Sequence, residues 1–267
     1  MADVDEQVPA GVDTSTPSIA RVYDYFLGGK DNFACDRAVA EQLRTIAPEV
    51  EAMARQNRAF LGRVVRFLAE QGIRQFVDIG TGLPTNDNVH QVAQSVAPEA
   101  KVVYVDNDPI VLAHARALLA ENRNTVVVAG DLLRPDELLA QPDLRATIDF
   151  EQPVAILLVG ILYFFADEDH PFDIVARLRD ALPSGGYLAL SHIVSDDSPD
   201  AITKAQEIYR SFLRRGGDAR RTRAQVRTFF DGLDLVDPGL VYVRDWHADE
   251  STDPTHTWMV GGVAHKH

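Results

Sequence analysis

Short apolar runs alternate with amphipathic stretches through the middle of the chain. Phe76, Val77 and Ile79 lead into Gly80 and Gly82, and the same type of run recurs at Lys101 to Asp106, Asn124 to Ala129, Val154 to Val159 and Tyr187 to Ile193. Apolar runs rich in β-branched residues and bounded by Gly, Asp or Asn predict strands buried on both faces. Between them lies helical spacing: Val89, Val92, Ala93 and Val96 after a cap at Thr85 or Asn86, a start at Asp108-Pro109, and a helix near Phe172 to Ala181 before the turn Pro183 to Gly186. Strand, helix, strand repeated in this way predicts an α/β, doubly wound, mostly parallel sheet whose ligands sit beyond the carboxyl ends of the strands. After Ser198 the pattern changes to helices through Ile208 and Phe212 and around Thr222 to Phe230. Strands near Leu240 to Arg244 and Thr257 to Ala264 follow, without a long helix between them. They predict an antiparallel edge, making seven strands in all.

Ahead of this pattern, residues 1–17 carry Asp3, Asp5, Glu6 and Asp13, no base and few large apolar groups. That composition predicts a disordered acidic tail. Residues 18–72 read as a helical region. Ile19, Val22, Tyr23 and Phe26 form one face of a short helix stopped by Gly28-Gly29, and Val50 to Leu68 carry the stripe of a longer helix ended at Gly72. The glycine pair delivers Lys30, Asp31 and Asn32 to one place. The short helix is either a capped surface helix or a lid hinged at the glycines. Asn57 falls within the apolar stripe of the longer helix, where an amide needs a partner; backbone, lid or substrate could supply it. Residues 73–267 form the main domain.

Composition narrows the function. A formal net charge of -14 disfavours a nucleic-acid partner, since such binding draws on clustered Lys and Arg. The single cysteine, Cys35, excludes an intrachain disulfide and a multi-cysteine metal site, and no metal is expected. The start lacks the basic and apolar parts of a signal peptide, and the most apolar stretch, Val154 to Ala166, is 13 residues, below a bilayer span. The expectation is a cytoplasmic protein with a small-molecule substrate and no membrane partner.

Three acids stand at successive strand ends: Asp78 just before Gly80, Asp106 and Asp131. In a doubly wound sheet these ends line one crevice. An acid after the second strand suits ribose hydroxyls, and one after the third suits an exocyclic adenine amine. VDIGTG, VDND, AGDL, the strand into ILYFF, and LPSGGYLALSHI together resemble the motif series of class I S-adenosylmethionine-dependent methyltransferases, over about residues 74–194. RVYDYFLGGKDNF, the NRAFLGRVVRFL helix, DIGTGLPT and VVYVDNDPIVLAHARALL further resemble an actinobacterial methyltransferase family of unassigned substrate. The resemblance implies a Rossmann-like fold and S-adenosyl-L-methionine as cofactor. It sets Gly80, Thr81 and Gly82 at the methionine part, Asp106 and Asn107 at the ribose, Asp131 and Leu132 at the adenine, and Gly160, Leu162 and Tyr163 near the methyl. Tyr23 and Lys30 from the lid are expected to join the cofactor site.

Pro84 and Thr85 replace the third glycine of the usual loops, which argues against a pyrophosphate and so for S-adenosylmethionine over NAD. Methyl transfer needs chiefly alignment, and a base only if the acceptor is protonated. Candidate bases are His192, after the fifth strand, and His170. Of these His192, with Tyr163, is assigned to catalysis, and Asn57, Tyr163 and His170 to the substrate. Seven arginines between Arg210 and Arg227 form either a solvated helix face or a site for an acidic partner. The reading is a methyltransferase acting on O or N of a small molecule. A regulator that binds the cofactor without transfer, and a nicotinamide oxidoreductase, stay open.

Overall fold

The computed structural model describes residues 13–85, 87–119, 122–213, 217–250 and 252–267. The first part of the expected tail, the cap candidate Asn86, and Arg214 and Arg215 lie outside the described residues.

Three helices come first: α1 (Ile19–Phe26), α2 (Ala34–Ile46) and α3 (Val50–Glu70). The alternating part follows as β1 (Gln75–Ile79), α4 (Val89–Val96), β2 (Lys101–Asp106), α5 (Pro109–Leu118) and β3 (Thr125–Ala129). It continues with α6 (Pro135–Leu139), α7 (Pro142–Thr147), β4 (Ala155–Val159), α8 (Pro171–Ala181) and β5 (Tyr187–Ile193). The chain closes with α9 (Pro199–Leu213), α10 (Arg223–Thr228), β6 (Asp234–Leu235), β7 (Val241–Tyr242) and β8 (Met259–His265).

The sheet order is β3-β2-β1-β4-β5-β8-β6, with β7 also paired to β8. β1 to β5 are parallel, and β8 runs antiparallel to β5 from Tyr187↔His265 to Ile193↔Met259. The expected doubly wound sheet with an antiparallel edge is present, but it has 8 strands rather than seven. The extra one arises because the last edge is broken. Asp234-Leu235 and Val241-Tyr242 both pair with β8, separated by a turn through Pro238 and Gly239, whose φ of 88° suits glycine.

Side chains alternate across the strands and divide the core in two. Phe76, Val102, Tyr104, Leu157 and Ala189 face α3, α4 and Trp246, whereas Val77, Val103, Val105, Leu158 and Leu190 face α6 to α8 and α10. Helix α3 packs into the first of these layers through Phe60, Leu61, Val64 and Leu68. Gly261 on β8 makes room for it, since a Cβ there would lie 2.7 Å from the Phe60 ring. Helices α1 and α2 build a third cluster around Val22, Phe26, Val39 and Leu43, with Ile208 and Tyr209 of α9 against it.

Three local expectations change. Helix α4 starts at Val89 after Asn88 rather than after Thr85. The Gln91 side chain accepts the Asn88 N–H at 2.9 Å, and Asn88 Oδ1 accepts the Thr85 N–H at 3.0 Å. Helix α2 has no counterpart in the pattern reading, although Val39, Ala40 and Leu43 are spaced for a buried helical face. Arg220, Arg221 and Arg223 of the arginine cluster make contacts within the protein. Arg221 is buried, with both terminal nitrogens 3.0 Å from the Phe165 carbonyl. Arg220 pairs with Asp218, and Arg223 lies over the Tyr242 ring.

Candidate active site

A cleft of about 580 Å³ opens at the carboxyl ends of β1, β2, β3 and β4, the size of a small-molecule site. Its floor is the turn after β1. The Gly80 and Thr81 N–H groups both donate to the Val105 carbonyl, at 2.8 and 3.3 Å. Gly80 and Gly82 hold φ of 76° and 67°, the left-handed region that favours glycine. A Cβ on Gly80 would strike the Ile161 side chain at 2.0 Å, while a Cβ on Gly82 would meet nothing within 4 Å. The turn therefore packs closely against the β4 loop on one side and leaves the Gly82 backbone open.

Five acids line this space, Asp13 from the amino-terminal segment and four from the strand ends. Asp78 lies under the turn, takes the Thr81 hydroxyl at 2.8 Å, and is pushed up to about 6, chiefly by burial, with Asp106 adding to it. Asp106 is clamped, its two oxygens accepting the Gly82 N–H at 3.0 Å and the Asp108 N–H at 2.9 Å. Burial raises its pKa, and those N–H bonds oppose the rise. Asp108 caps α5, accepting the Ile110 N–H at 2.8 Å. Asp131 accepts the Leu133 N–H at 3.0 Å and lines the cleft with Leu132. Each acid thus shapes its own loop and still borders the common space.

The amino-terminal segment forms the opposite wall. Asp13, Thr16, Pro17 and Ser18 line the cleft, as do Arg21 and Tyr23 of α1. The Ser18 hydroxyl donates to Asp108 Oδ2 at 2.7 Å, across 90 positions of sequence. Asp36 of α2 anchors the segment by taking the Ser18 N–H at 2.9 Å and the Arg21 Nε at 2.7 Å. Pattern reading gave no signal for the part of this wall from Asp13 to Ser18, because a short polar strap has no periodicity, whereas Tyr23 stands at the cleft as expected.

Of the sequence-assigned residues, Gly80, Thr81, Gly82, Asp106, Asn107, Asp131, Leu132, Gly160, Tyr23, Asn57 and Tyr163 come together in the cleft. Asn57 Nδ2 donates to the Tyr23 hydroxyl at 3.1 Å, and that hydroxyl donates to the Ala54 carbonyl at 2.9 Å. The Tyr163 hydroxyl has no hydrogen-bond partner among the described residues, and burial together with Tyr209 and Tyr23 holds its pKa well above the usual phenol range.

Four assigned residues stand elsewhere. Leu162 is fully buried in the core with Leu158 and does not line the cleft. His192 is fully buried on the far face of β5, the face of Leu188 and Leu190, because side chains alternate along a strand. Its Nδ1 is 2.6 Å from the Ile193 carbonyl, and its ring lies behind Tyr163 with centroids 6.0 Å apart. Burial first, then the Arg221 charge, lowers its pKa to about 3. It is a core histidine that does not line the cleft. His170 is exposed, in the left-handed conformation (φ 52°) ahead of α8, and does not border the cleft. Lys30 is exposed outside it too, because its loop closes inward on Asp24 instead. That buried carboxylate accepts the Asp31 N–H and Asn32 Nδ2, both at 2.9 Å. A Cβ on Gly29 would lie 1.9 Å from it.

The donor set fits a nucleoside with a cationic amino-acid tail. Acids near open glycine backbone suit ribose hydroxyls and positive charge, and α4, which begins only at Val89, offers no helix terminus at the glycine turn for a pyrophosphate. Among the described residues no three His, Cys, Asp or Glu side chains converge as a metal set, and no helix is long and apolar enough to cross a membrane.

Comparison with known proteins agrees. The family described as S-adenosyl methyltransferase matches residues 5–267. A candidate methyltransferase of Thermobifida fusca is 44% identical, with a TM-score of 0.91 over 98% of this chain and 99% of that one. A DUF574 family protein of Streptomyces avermitilis is 43% identical, with a TM-score of 0.91 over 96% and 99%. Human N-acetylserotonin methyltransferase, solved with SAM, shares the fold at 14% identity and a TM-score of 0.50, over 91% of this chain and 62% of that one. No curated protein matches. An acid-lined glycine cleft at the strand ends, in a chain matched over almost its whole length, makes this protein a member of the S-adenosyl methyltransferase family, an enzyme whose cofactor is S-adenosyl-L-methionine.

Proposed function

We propose that the protein transfers a methyl group from S-adenosylmethionine to an oxygen or nitrogen of a small-molecule acceptor, without a protein general base. The observation that carries this reading is the composition of the cleft beyond the glycine turn. Next to Gly160 its walls are Tyr23, Asn57, Ile161, Tyr163 and Phe164, with no histidine or lysine among them. Burial keeps Tyr23 and Tyr163 protonated at neutral pH.

Gly80, Thr81 and Gly82 hold the methionine part, Asp106 and Asn107 the ribose, and Asp131 and Leu132 the adenine. The cofactor supplies an electrophilic methyl on a positively charged sulfur. The work left to the chain is to bind, align and exclude water, and alignment alone can contribute about 7 to 11 kcal/mol. Five carboxylates lining the cleft, Asp13, Asp78, Asp106, Asp108 and Asp131, favour a cationic cofactor over its neutral demethylated product. Residues 18–26 close the site as a lid, supported by the Ser18 to Asp108 bond. Tyr163, with its unpaired hydroxyl, and Asn57 orient the acceptor. Its nucleophile arrives unprotonated, or loses its proton to water after transfer.

Parallel calorimetric titrations with S-adenosylmethionine, S-adenosylhomocysteine and NAD test the cofactor assignment, and binding of NAD alone would refute it. Incubation of cell extract with methyl-labelled cofactor tests the acceptor class. Label should enter the low-molecular-weight fraction; label only in protein or nucleic acid would overturn the small-molecule reading.

A further inference from the structure

A buried serine links the cleft wall to the helix that closes it. Ser191, fully buried in β5, precedes the histidine that sequence favoured and faces the opposite way, toward α3. Its Oγ accepts the Gly160 N–H at 2.8 Å and donates to Asn57 Oδ1 at 2.7 Å. Asn57 Nδ2 donates to the Tyr23 hydroxyl at 3.1 Å, which donates to the Ala54 carbonyl at 2.9 Å. All four bonds run in one direction, from the β4 loop through β5 and α3 to α1 and back to α3.

That direction is forced. The Gly160 amide can only donate, so the single Ser191 proton is free to go to Asn57 Oδ1, which turns the amide nitrogen toward Tyr23. With the amide reversed, the serine proton would lose its acceptor and the Ala54 carbonyl would lose the tyrosine proton. The packing is equally tight, since a Cβ on Gly160 would lie 2.8 Å from Asn57 Nδ2, at a φ of 77°.

We infer that Ser191 is a positioning residue: through the oriented Asn57 amide it sets the Gly160 peptide and the Tyr23 hydroxyl together, so that α1 seats over the cleft only when the β4 loop is in place. The inference rests on the cofactor reading above. It assigns Ser191 no contact with either ligand, only control over two residues that border them.

A double-mutant cycle on the full chain tests it, with the affinity for S-adenosylhomocysteine measured by calorimetry. Ser191→Ala and Tyr23→Phe should each weaken binding about ten-fold, the range for stranding one buried polar partner. Because both break one chain, the double variant should be about ten-fold weaker as well, where independent sites would give about a hundred-fold. With ligand bound, the amides of 19–26 should exchange faster in Ser191→Ala than in the wild type. A serine that only stabilises the core would lower the melting temperature and leave both readouts unchanged. Single variants with unaltered affinity, or a multiplicative double variant, would overturn the relay. Should Ser191→Ala fail to fold, Asn57→Ala replaces it in the cycle. A wild-type protein that does not bind S-adenosylhomocysteine would instead refute the cofactor reading itself.

Discussion

Replacing Asp78 by asparagine should stabilise the ligand-free protein while weakening its hold on the cofactor. Asp78 is 4% exposed and its pKa is pushed from 3.8 up to about 6, so the folded protein binds this proton more tightly than the unfolded chain does. Above the unfolded value the carboxylate begins to oppose folding, and above about pH 6 the whole cost is present. At about 1.36 kcal/mol per pKa unit, the gap is worth about 3 kcal/mol at pH 7.5. Asparagine removes the charge and keeps an acceptor for the Thr81 hydroxyl. Urea titration of the ligand-free variant at pH 7.5 should therefore show an unfolding free energy about 3 kcal/mol higher, with an unchanged slope. The acid side offers a second check through His192, whose folded pKa of about 3 lies below its ordinary 6.5. The unfolded chain takes up that proton first, so stability falls by about 1.4 kcal/mol per unit as pH drops below 6.5. In the wild type, Asp78 offsets this fall between about pH 6 and pH 4, and in the variant that offset should be lost. Affinity for S-adenosylmethionine should drop at neutral pH, because a carboxylate facing a cationic ligand is gone. A variant less stable than wild type at pH 7.5, or one with unaltered affinity, would refute the argument that this charge is held at a cost for binding.

Asp106→Ala should weaken cofactor binding by about 1.5 to 3 kcal/mol in calorimetry, because a charged acceptor of ribose hydroxyls is lost; unchanged affinity would move the ribose elsewhere. Once an acceptor is found, the rate of transfer from saturated enzyme should show no inflection from His192 between pH 6 and 9, since burial keeps that ring neutral. His192→Phe should leave turnover per folded molecule within a few-fold, and a loss of a hundred-fold would return the histidine to the mechanism. Gly261→Ala should cost about 1 to 3 kcal/mol in urea titration, because its Cβ would press on the Phe60 ring at 2.7 Å.

The local chemistry of the strands is written in the chain itself. A buried strand, a glycine turn and an acid at its end are contiguous, so Asp78, Gly80, Gly82, Asp106 and Asp131 could be named from spacing alone, and the strand order then brings them to one edge. Face is legible too where alternation is followed to the end of a strand. Leu188 and Leu190 put His192 on one side of β5, and Ala189 puts Ser191 on the other. Preferring His192 for its place at the end of the fifth strand overlooked that periodicity. What tertiary structure alone decided involves partners far apart in sequence. Asp13, Thr16 and Pro17, from the end of the apparent tail, line the cleft, and the Ser18 to Asp108 bond ties the chain beside them to it. The Asp36 carboxylate ties down a helix that pattern reading passed over. Burial converts Arg221 from a surface charge into a core donor and Lys30 stays outside because Asp24 fills its loop. Periodicity describes which face of an element is apolar. Which polar groups meet across two such faces depends on how the elements pack, and a hydrogen bond spanning 134 positions, as between Ser191 and Asn57, leaves no local trace.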